Sequence, residues 1–178
     1  IGPIARACGA LTLIDCVSSL GGIPFETDAW QLDVCVAGPQ KCLGGPPGMS
    51  LMTVSEAAWE RIRANPAAPR GSFLSMLDWK EQWIDGDKFP FTPSVSDLNG
   101  VEAAADELLE EGLGTSIARH ERSAAACRGG IRAMGHELWP RSDEIAAACV
   151  TAVAVPDGLT DVQVRAHCRD RYGVMISG

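Results

Sequence analysis

One lysine, Lys41, lies in a stretch built otherwise from small, stiff or apolar residues, CVAGPQKCLGGPPGMSLM at positions 35–52. Its neighbours Pro39, Cys42 and Leu43 predict partial desolvation, which favours the neutral, nucleophilic form of an amine. Such an amine can form a Schiff base with a carbonyl compound. A phosphate-binding Walker loop is a poor match, because there the lysine follows the glycines and here it precedes them. The alternative is an ordinary solvent-exposed loop lysine.

Asp15 supplies the second reactive group. The run ALTLID at positions 10–15 predicts a short apolar strand that ends in this carboxylate. In open α/β sheets, side chains at the carboxyl ends of strands bind ligands. A carboxylate there can pair with a protonated pyridine nitrogen. Lys41 and Asp15 together therefore describe a site for pyridoxal chemistry, in which the aspartate keeps the ring cationic as an electron sink.

Strands and helices alternate around these two residues. Two more apolar runs predict strands at 34–38 and 49–54, and their continuous apolar character favours a sheet covered on both faces. Capping patterns predict helices over 55–65 and 94–112, and a further helical pattern over 115–135 ends in glycine. The caps are Ser55 for the first helix, Ser94 with Asp97 for the second, and the closing glycine of the third is Gly135.

The residue pattern changes after residue 138, from long helical patterns to short apolar runs. Apolar runs predict strands at 149–155 and 174–177, and Thr160 with Gln163 forms a capping box that opens a helix between them. This order indicates a small α+β unit. We therefore predict an α/β fold with two parts, residues 1–100 and residues 101–178.

Composition excludes several classes of protein. The net charge is −8 and the pI is about 4.8, with no basic stripe of the kind that binds nucleic-acid phosphates. No apolar run approaches the ~20 residues of a membrane span, and no signal segment opens the chain. We expect a cytoplasmic protein without nucleic-acid or membrane partners.

The seven cysteines are scattered and odd in number, which predicts buried free thiols. The three histidines form no zinc-binding pattern with them, so we expect no metal site.

The stretch LIDCVSSLGGIPFETDAWQLDVCVAGPQKCLGGPPG at 13–48, with its 26-residue interval from Asp15 to Lys41, resembles the core of the class V, fold type I pyridoxal-phosphate aminotransferases. The resemblance continues through FPFTPSVSDLNG and IARHERSAAACRGG to YGVMISG. It implies that residues 1–100 are part of a large domain with a mixed, mostly parallel sheet between helices. Residues 101–178 would then be a connecting helix and an incomplete small C-terminal domain.

The resemblance also implies roles for single residues. Lys41 is the Schiff-base lysine, Asp15 pairs with the pyridine nitrogen, and Val17 packs on one face of the ring. Gln40 is similar to a residue that hydrogen-bonds near the cofactor phosphate. Thr92 is similar to one that reaches the phosphate region of the neighbouring subunit's site, which implies a homodimer or a higher homo-oligomer. The alternatives are a core role for Val17, a plain loop role for Gln40 and a helix-start role for Thr92.

The activity implied is transamination between a small amino donor and a 2-oxo acid. In several relatives a tyrosine near the TP dipeptide binds the phosphate, whereas Phe89 and Phe91 here lack a hydroxyl. This favours the branch that converts pyridoxamine and pyruvate to pyridoxal and L-alanine, with the unphosphorylated ring as substrate. The runner-up is an alanine- or serine-glyoxylate aminotransferase with bound pyridoxal 5'-phosphate.

The first and last residues of the sequence predict that this chain is a fragment of a longer protein. The family's ring-stacking residue would precede Ile1, and its carboxylate-binding arginine would follow Gly178. The isolated chain is therefore expected to be inactive. The three arginines of the last predicted helix are expected to form a solvated face; they are Arg165, Arg169 and Arg171. A cysteine desulfurase is disfavoured, because Cys42 is too constrained to act as its mobile cysteine.

Overall fold

The computed structural model describes all residues, Ile1–Gly178. The chain divides into two compact units, residues 1–117 and residues 118–178. The boundary that we placed at residue 100 stays a prediction about the domains of the whole protein.

The first unit contains a three-stranded mixed sheet with the order β1-β2-β3. Strand β1 spans Leu13–Asp15, β2 spans Val34–Ala37 and β3 spans Leu51–Val54. β1 pairs with β2 in parallel, and β2 pairs with β3 in antiparallel fashion. All three predicted strands are confirmed, as is the α/β class.

The hydrophobic core of this unit lies on one face of the sheet. Cys35 and Ala37 of β2 are buried there together with Cys16, and Ile14 and Leu51 pack against them. On the other face the side chain of Leu13 is 73% exposed and that of Met52 is 46% exposed. Val34 and Val36 on this second face are half-buried, so residues 1–178 cover it only in part, and a sheet covered on both faces stays a prediction about the whole protein.

The helices begin and end close to the predicted caps. They are α1 Gly2–Ala7, α2 Glu56–Arg63, α3 Met76–Asp78 with a π-helical extension Trp79–Ile84, α4 Val95–Glu111, α5 Leu113–Ala133, and α6 Asp161–Tyr172. Ser55 caps α2 by accepting a hydrogen bond from the Ala58 amide. The predicted capping box of Thr160 and Gln163 is present at α6. At α4 the Ser94 hydroxyl instead donates to the Asp97 carboxylate over 2.7 Å.

Two strands predicted near the end of the chain are wrong. In the run 149–155 only Val153 forms a β-bridge, with Leu138, and residues 174–177 form no strand. An apolar run becomes a strand only where another strand satisfies its backbone groups. Beside 149–155 the only pairing is with residues 137–139, through the Trp139 and Ala154 amides, and no strand pairs with 174–177.

The seven cysteines are all free, but not all are buried as we expected. Cys16 and Cys35 are buried in the core, whereas Cys8 and Cys127 are exposed. None of the helices combines the length and the hydropathy that a membrane span requires.

Candidate functional site

Asp15 and Lys41 follow neighbouring parallel strands. Asp15 is the last residue of β1 and pairs in register with Val36 of β2. β2 ends at Ala37, and the chain runs through a short loop to Lys41. Because parallel strands end at the same edge of a sheet, both reactive groups lie beyond the carboxyl edge of β1 and β2.

The carboxylate of Asp15 is exposed and has one hydrogen bond within the chain. Its Oδ1 atom accepts from the backbone amide of Val17 over 2.9 Å. The amide of Cys16, which lies between Asp15 and Val17, donates to the Val36 carbonyl over 2.8 Å and so extends the β1–β2 ladder. No protein group in residues 1–178 donates to Oδ2 of Asp15. One carboxylate oxygen is therefore held in place and the other is available to a ligand.

Lys41 lies in a tight turn. Its carbonyl accepts a hydrogen bond from the Gly44 amide over 3.0 Å, and the carbonyl of the buried Pro39 accepts from the Gly45 amide over 2.8 Å. The side chain of Lys41 itself is exposed. The partial desolvation predicted from its neighbours is therefore wrong for this chain, because Pro39 and Leu43 turn into the protein while the lysine points to solvent.

Helix α4 supports the glycine- and proline-rich segment that follows Lys41. A Cβ atom added to Gly45 would lie 3.4 Å from the Cβ of Ala104 in α4. One turn earlier in the helix, a Cβ atom added to Gly100 would lie only 2.7 Å from Cγ of Pro46. Small residues on both surfaces thus allow the loop to lie directly against the helix, which fixes the backbone after the lysine.

The other residues assigned by resemblance lie in different places. Val17 is half-buried and supplies the amide that holds Asp15. Gln40 is exposed and folds its side chain back over Gly38, leaving no room there for a Cβ atom. Thr92 is exposed, and no hydrogen bond or ion pair joins it to Asp15 or Lys41 within residues 1–178. The structure thus joins Asp15 and Val17 by a hydrogen bond, and it shows no such bond from Thr92 to either reactive residue.

The aromatic residues beside Thr92 belong to a cluster in the segment 73–91. Phe91 packs against Phe73 and Trp79, each with ring centroids 6.0 Å apart. Phe89 packs against Trp83 with centroids 5.1 Å apart. The rings hold this segment together by apolar contact, and neither Phe89 nor Phe91 offers a hydroxyl group.

Sequence reasoning missed a buried polar network at the opposite edge of the sheet. The carboxylate of Asp33, just before β2, accepts hydrogen bonds from the Thr12 amide at 2.9 Å, the Thr12 hydroxyl at 3.2 Å and the Ser55 hydroxyl at 2.9 Å. Arg6 lies 3.9 Å away. The hydrogen bond from the Thr12 amide is the main reason that the pKa of Asp33 lies below its usual value, although burial opposes the shift. The only signal in the sequence was an acid directly before an apolar strand.

The comparisons with known proteins cover the whole chain. The model of the family "Aminotransferase class-V" matches residues 1–178. Pyridoxamine--pyruvate transaminase of Mesorhizobium japonicum is 47% identical over 177 residues, which cover 99% of this chain and 45% of that protein. The chain thus spans less than half the length of this relative.

Solved structures agree with the sequence matches. The chain superimposes on pyridoxamine-pyruvate aminotransferase from Mesorhizobium loti with a TM-score of 0.94 and 47% identity, covering 100% of this chain and 45% of that one. It superimposes on alanine--glyoxylate aminotransferase from Nostoc sp. with a TM-score of 0.90 and 27% identity, covering 99% and 47% of the two chains. With the family model matched from Ile1 to Gly178, the chain belongs to the class-V aminotransferases.

Proposed function

We propose that the protein containing this chain is a transaminase that converts pyridoxamine and pyruvate to pyridoxal and L-alanine. The observation that carries the proposal is the placement of an amine, Lys41, and a carboxylate, Asp15, at one edge of two parallel strands. The choice of substrate is supported by 47% identity to a relative named for this reaction.

The residues present fit a pyridoxal-type ring. The exposed amine of Lys41 can form a bond with the ring aldehyde, and the available Oδ2 oxygen of Asp15 can accept a hydrogen bond from a protonated ring nitrogen. If the ring carries a phosphate, Gln40 and Thr92 are the residues of this chain that would contact it. When bound, the ring supplies an electron sink for charge that develops on the reacting carbon.

Lys41 then acts as the proton carrier. Its Nζ atom takes a proton from the aminomethyl carbon of pyridoxamine and delivers one to the carbon that becomes Cα of alanine. Asp15 keeps the ring nitrogen protonated, which stabilises negative charge at the reacting carbon. The amino group and the carbonyl oxygen exchange places between the two substrates, so no oxidant or reductant is needed.

We also infer that the protein is a homodimer or a higher homo-oligomer with shared sites. Thr92 is exposed and makes no hydrogen bond to Asp15 or Lys41, which agrees with a role toward a second subunit. Mixing Lys41→Ala subunits with Thr92→Val subunits tests this. Sharing of sites predicts that the mixture is more active than either parent alone, and a mixture no better than its parents contradicts it.

The substrate is tested with the full-length protein in two mixtures. One contains pyridoxamine and pyruvate, and the other contains serine or alanine with glyoxylate and pyridoxal phosphate. We expect turnover in the first mixture and a preparation without stoichiometric phosphate cofactor. Phe89 and Phe91 support this, because each missing hydrogen bond to a phosphate lowers binding by about 1 kcal/mol or more.

The alternative is an alanine- or serine-glyoxylate aminotransferase with bound pyridoxal phosphate. It is favoured by the close superposition on the Nostoc alanine--glyoxylate aminotransferase. Strong turnover in the second mixture only, with one phosphate cofactor per subunit, would replace the proposed reaction with this one.

A further inference from the structure

The turn that follows Asp15 accepts a hydrogen bond from Ser116, a buried serine of helix α5. The hydroxyl of Ser116 donates a hydrogen bond to the carbonyl of Gly21 over 2.8 Å, across 95 residues of sequence. Ser116 is completely buried. A buried hydroxyl with a short, long-range hydrogen bond fixes one specific backbone position, here a residue only six positions after Asp15.

Gly21 lies in a crowded position that only glycine fits well. Its φ angle is +88°, in the region that favours glycine. A Cβ atom added there would lie 3.4 Å from Leu108 of α4 and 3.5 Å from the carbonyl oxygen of Cys42. The turn therefore lies close to both helix α4 and the loop that follows Lys41.

The same loop also contacts the turn through a side chain. The thiol of Cys42, the residue after Lys41, donates to the Ser18 carbonyl over 3.4 Å. The turn after Asp15 and the loop carrying Lys41 are thus connected to each other, and Ser116 connects the turn to helix α5.

The turn between Asp15 and Gly21 is closed by its own backbone hydrogen bonds. Backbone hydrogen bonds run from the Ser19 and Leu20 amides to the Cys16 carbonyl over 3.0 and 3.2 Å, and from the Gly22 amide to the Ser19 carbonyl over 3.0 Å. Val17, inside this run, donates the amide hydrogen bond that orients Asp15. We therefore expect a shift of the Gly21 backbone to change the position of the Val17 amide and, with it, the orientation of Asp15.

From these contacts we infer that Ser116 is a positioning residue for the reaction: through the Gly21 carbonyl it sets the orientation of the Asp15 carboxylate toward the ring nitrogen. The inference rests on the proposed function. It adds a completely buried residue in a helix more than 70 positions after Lys41, which acts through the Gly21 carbonyl and not on the reacting atoms.

The test is a double-mutant cycle in the full-length protein, with Ser116→Ala, Asp15→Asn and the double variant. The readout is the rate of a single half-reaction with pyridoxamine, which stays measurable for slow variants. We expect Ser116→Ala to lower the rate about fivefold or more in the wild-type background, the effect of one net hydrogen bond. In the Asp15→Asn background the same substitution should have almost no effect, because the carboxylate that it positions is gone. Ser123→Ala, an exposed serine of the same helix, is the matched control and should leave the rate unchanged.

Each result decides between distinct conclusions. An equal loss from Ser116→Ala in both backgrounds, or no loss in the wild-type background, overturns the positioning role and leaves the proposed function intact. An Asp15→Asn variant as fast as wild type overturns the proposed role of Asp15 and, with it, this inference. If Ser116→Ala does not fold, Ser116→Cys provides the same cycle, because a thiol keeps a weaker donor at this position. It should give a smaller loss in the wild-type background and none with Asp15→Asn, and an equal loss in both again overturns the inference.

Discussion

The buried carboxylate of Asp33 stabilises the strands that carry the candidate site, and Asp33→Asn tests how much. Three hydrogen bonds reach this carboxylate, two from Thr12 and one from Ser55. A hydrogen bond to a charged acceptor contributes about 1 kcal/mol more than one to a neutral acceptor. Replacing the carboxylate at all three bonds therefore removes about 3 kcal/mol of stabilisation. A neutral amide costs less to bury than a carboxylate, which offsets part of this loss. We expect the opening free energy of β2 to fall by about 2 kcal/mol.

Hydrogen exchange of peptides that cover Val34–Ala37 in the full-length protein measures this quantity locally. Asp28→Asn is the matched control, since Asp28 is exposed and its substitution should change the opening free energy by less than about 0.5 kcal/mol. Equal exchange in the Asp33 variant and the wild type would refute the reasoning, as would an equally large effect in the control.

The pH dependence of the same difference has a defined sign. The pKa of Asp33 is lower in the folded protein than its ordinary value of 3.8, chiefly because of the Thr12 amide. A depressed folded pKa means that the stabilisation is fully present above the unfolded pKa and is lost as the pH falls through the folded pKa. The difference in the opening free energy of β2 between wild type and Asp33→Asn should therefore stay constant from pH 7 to pH 5 and shrink only below about pH 4. A gap that closes between pH 7 and pH 5 would show that another group is responsible.

Three further substitutions in the full-length protein test the site. Gly100→Ala should slow turnover, because its methyl group would lie 2.7 Å from Pro46 and push the loop after Lys41 away, whereas Gly114→Ala, with open space around it, should not; equal rates for the two variants would contradict the support role of α4. Lys41→Ala and Lys41→Arg should both lose the covalent link to pyridoxal that borohydride reduction and peptide mass analysis detect, and a link retained in the arginine variant would place the reactive amine elsewhere. Asp15→Asn should lower the half-reaction rate by about 10²- to 10⁴-fold with little change in hydrogen exchange; a rate within a few-fold of wild type would exclude Asp15 as the ring partner.

Local patterns predicted those features of the fold that depend on neighbouring residues. The strands around Ile14 and Cys35 are apolar and short, and the caps at Ser55 and Thr160 are formed within one turn of helix, so the sequence contains all of their determinants. The run that contains Val153 has equal apolar character, yet it forms only one bridge. Whether an apolar run pairs depends on a partner strand distant in sequence, which no local pattern contains.

The placement of Asp15 and Lys41 at one sheet edge was predictable from the sequence, whereas the contacts that support them were not. The interval between Asp15 and Lys41 is visible in the sequence, and the register of β1 and β2 places both at one edge. The hydrogen bond from Ser116 to Gly21 spans 95 residues, and that from Thr12 to Asp33 spans 21. A buried serine and an exposed serine look alike in a sequence, so these contacts required the structure.

Asp15 and Asp33 show how one residue type takes opposite roles at the two edges of a strand pair. Asp33 stands before β2, where Thr12 and Ser55 satisfy both of its oxygens and burial removes it from solvent. Asp15 stands at the end of β1, where only Oδ1 is satisfied and the side chain is exposed. A fully satisfied carboxylate stabilises the fold but has no oxygen left for a ligand, whereas a half-satisfied one is oriented and still able to accept a hydrogen bond. The carboxyl edge of β1 and β2 is therefore where we propose that a cationic ring binds, and the buried network of Asp33 at the opposite edge stabilises the register of the strands.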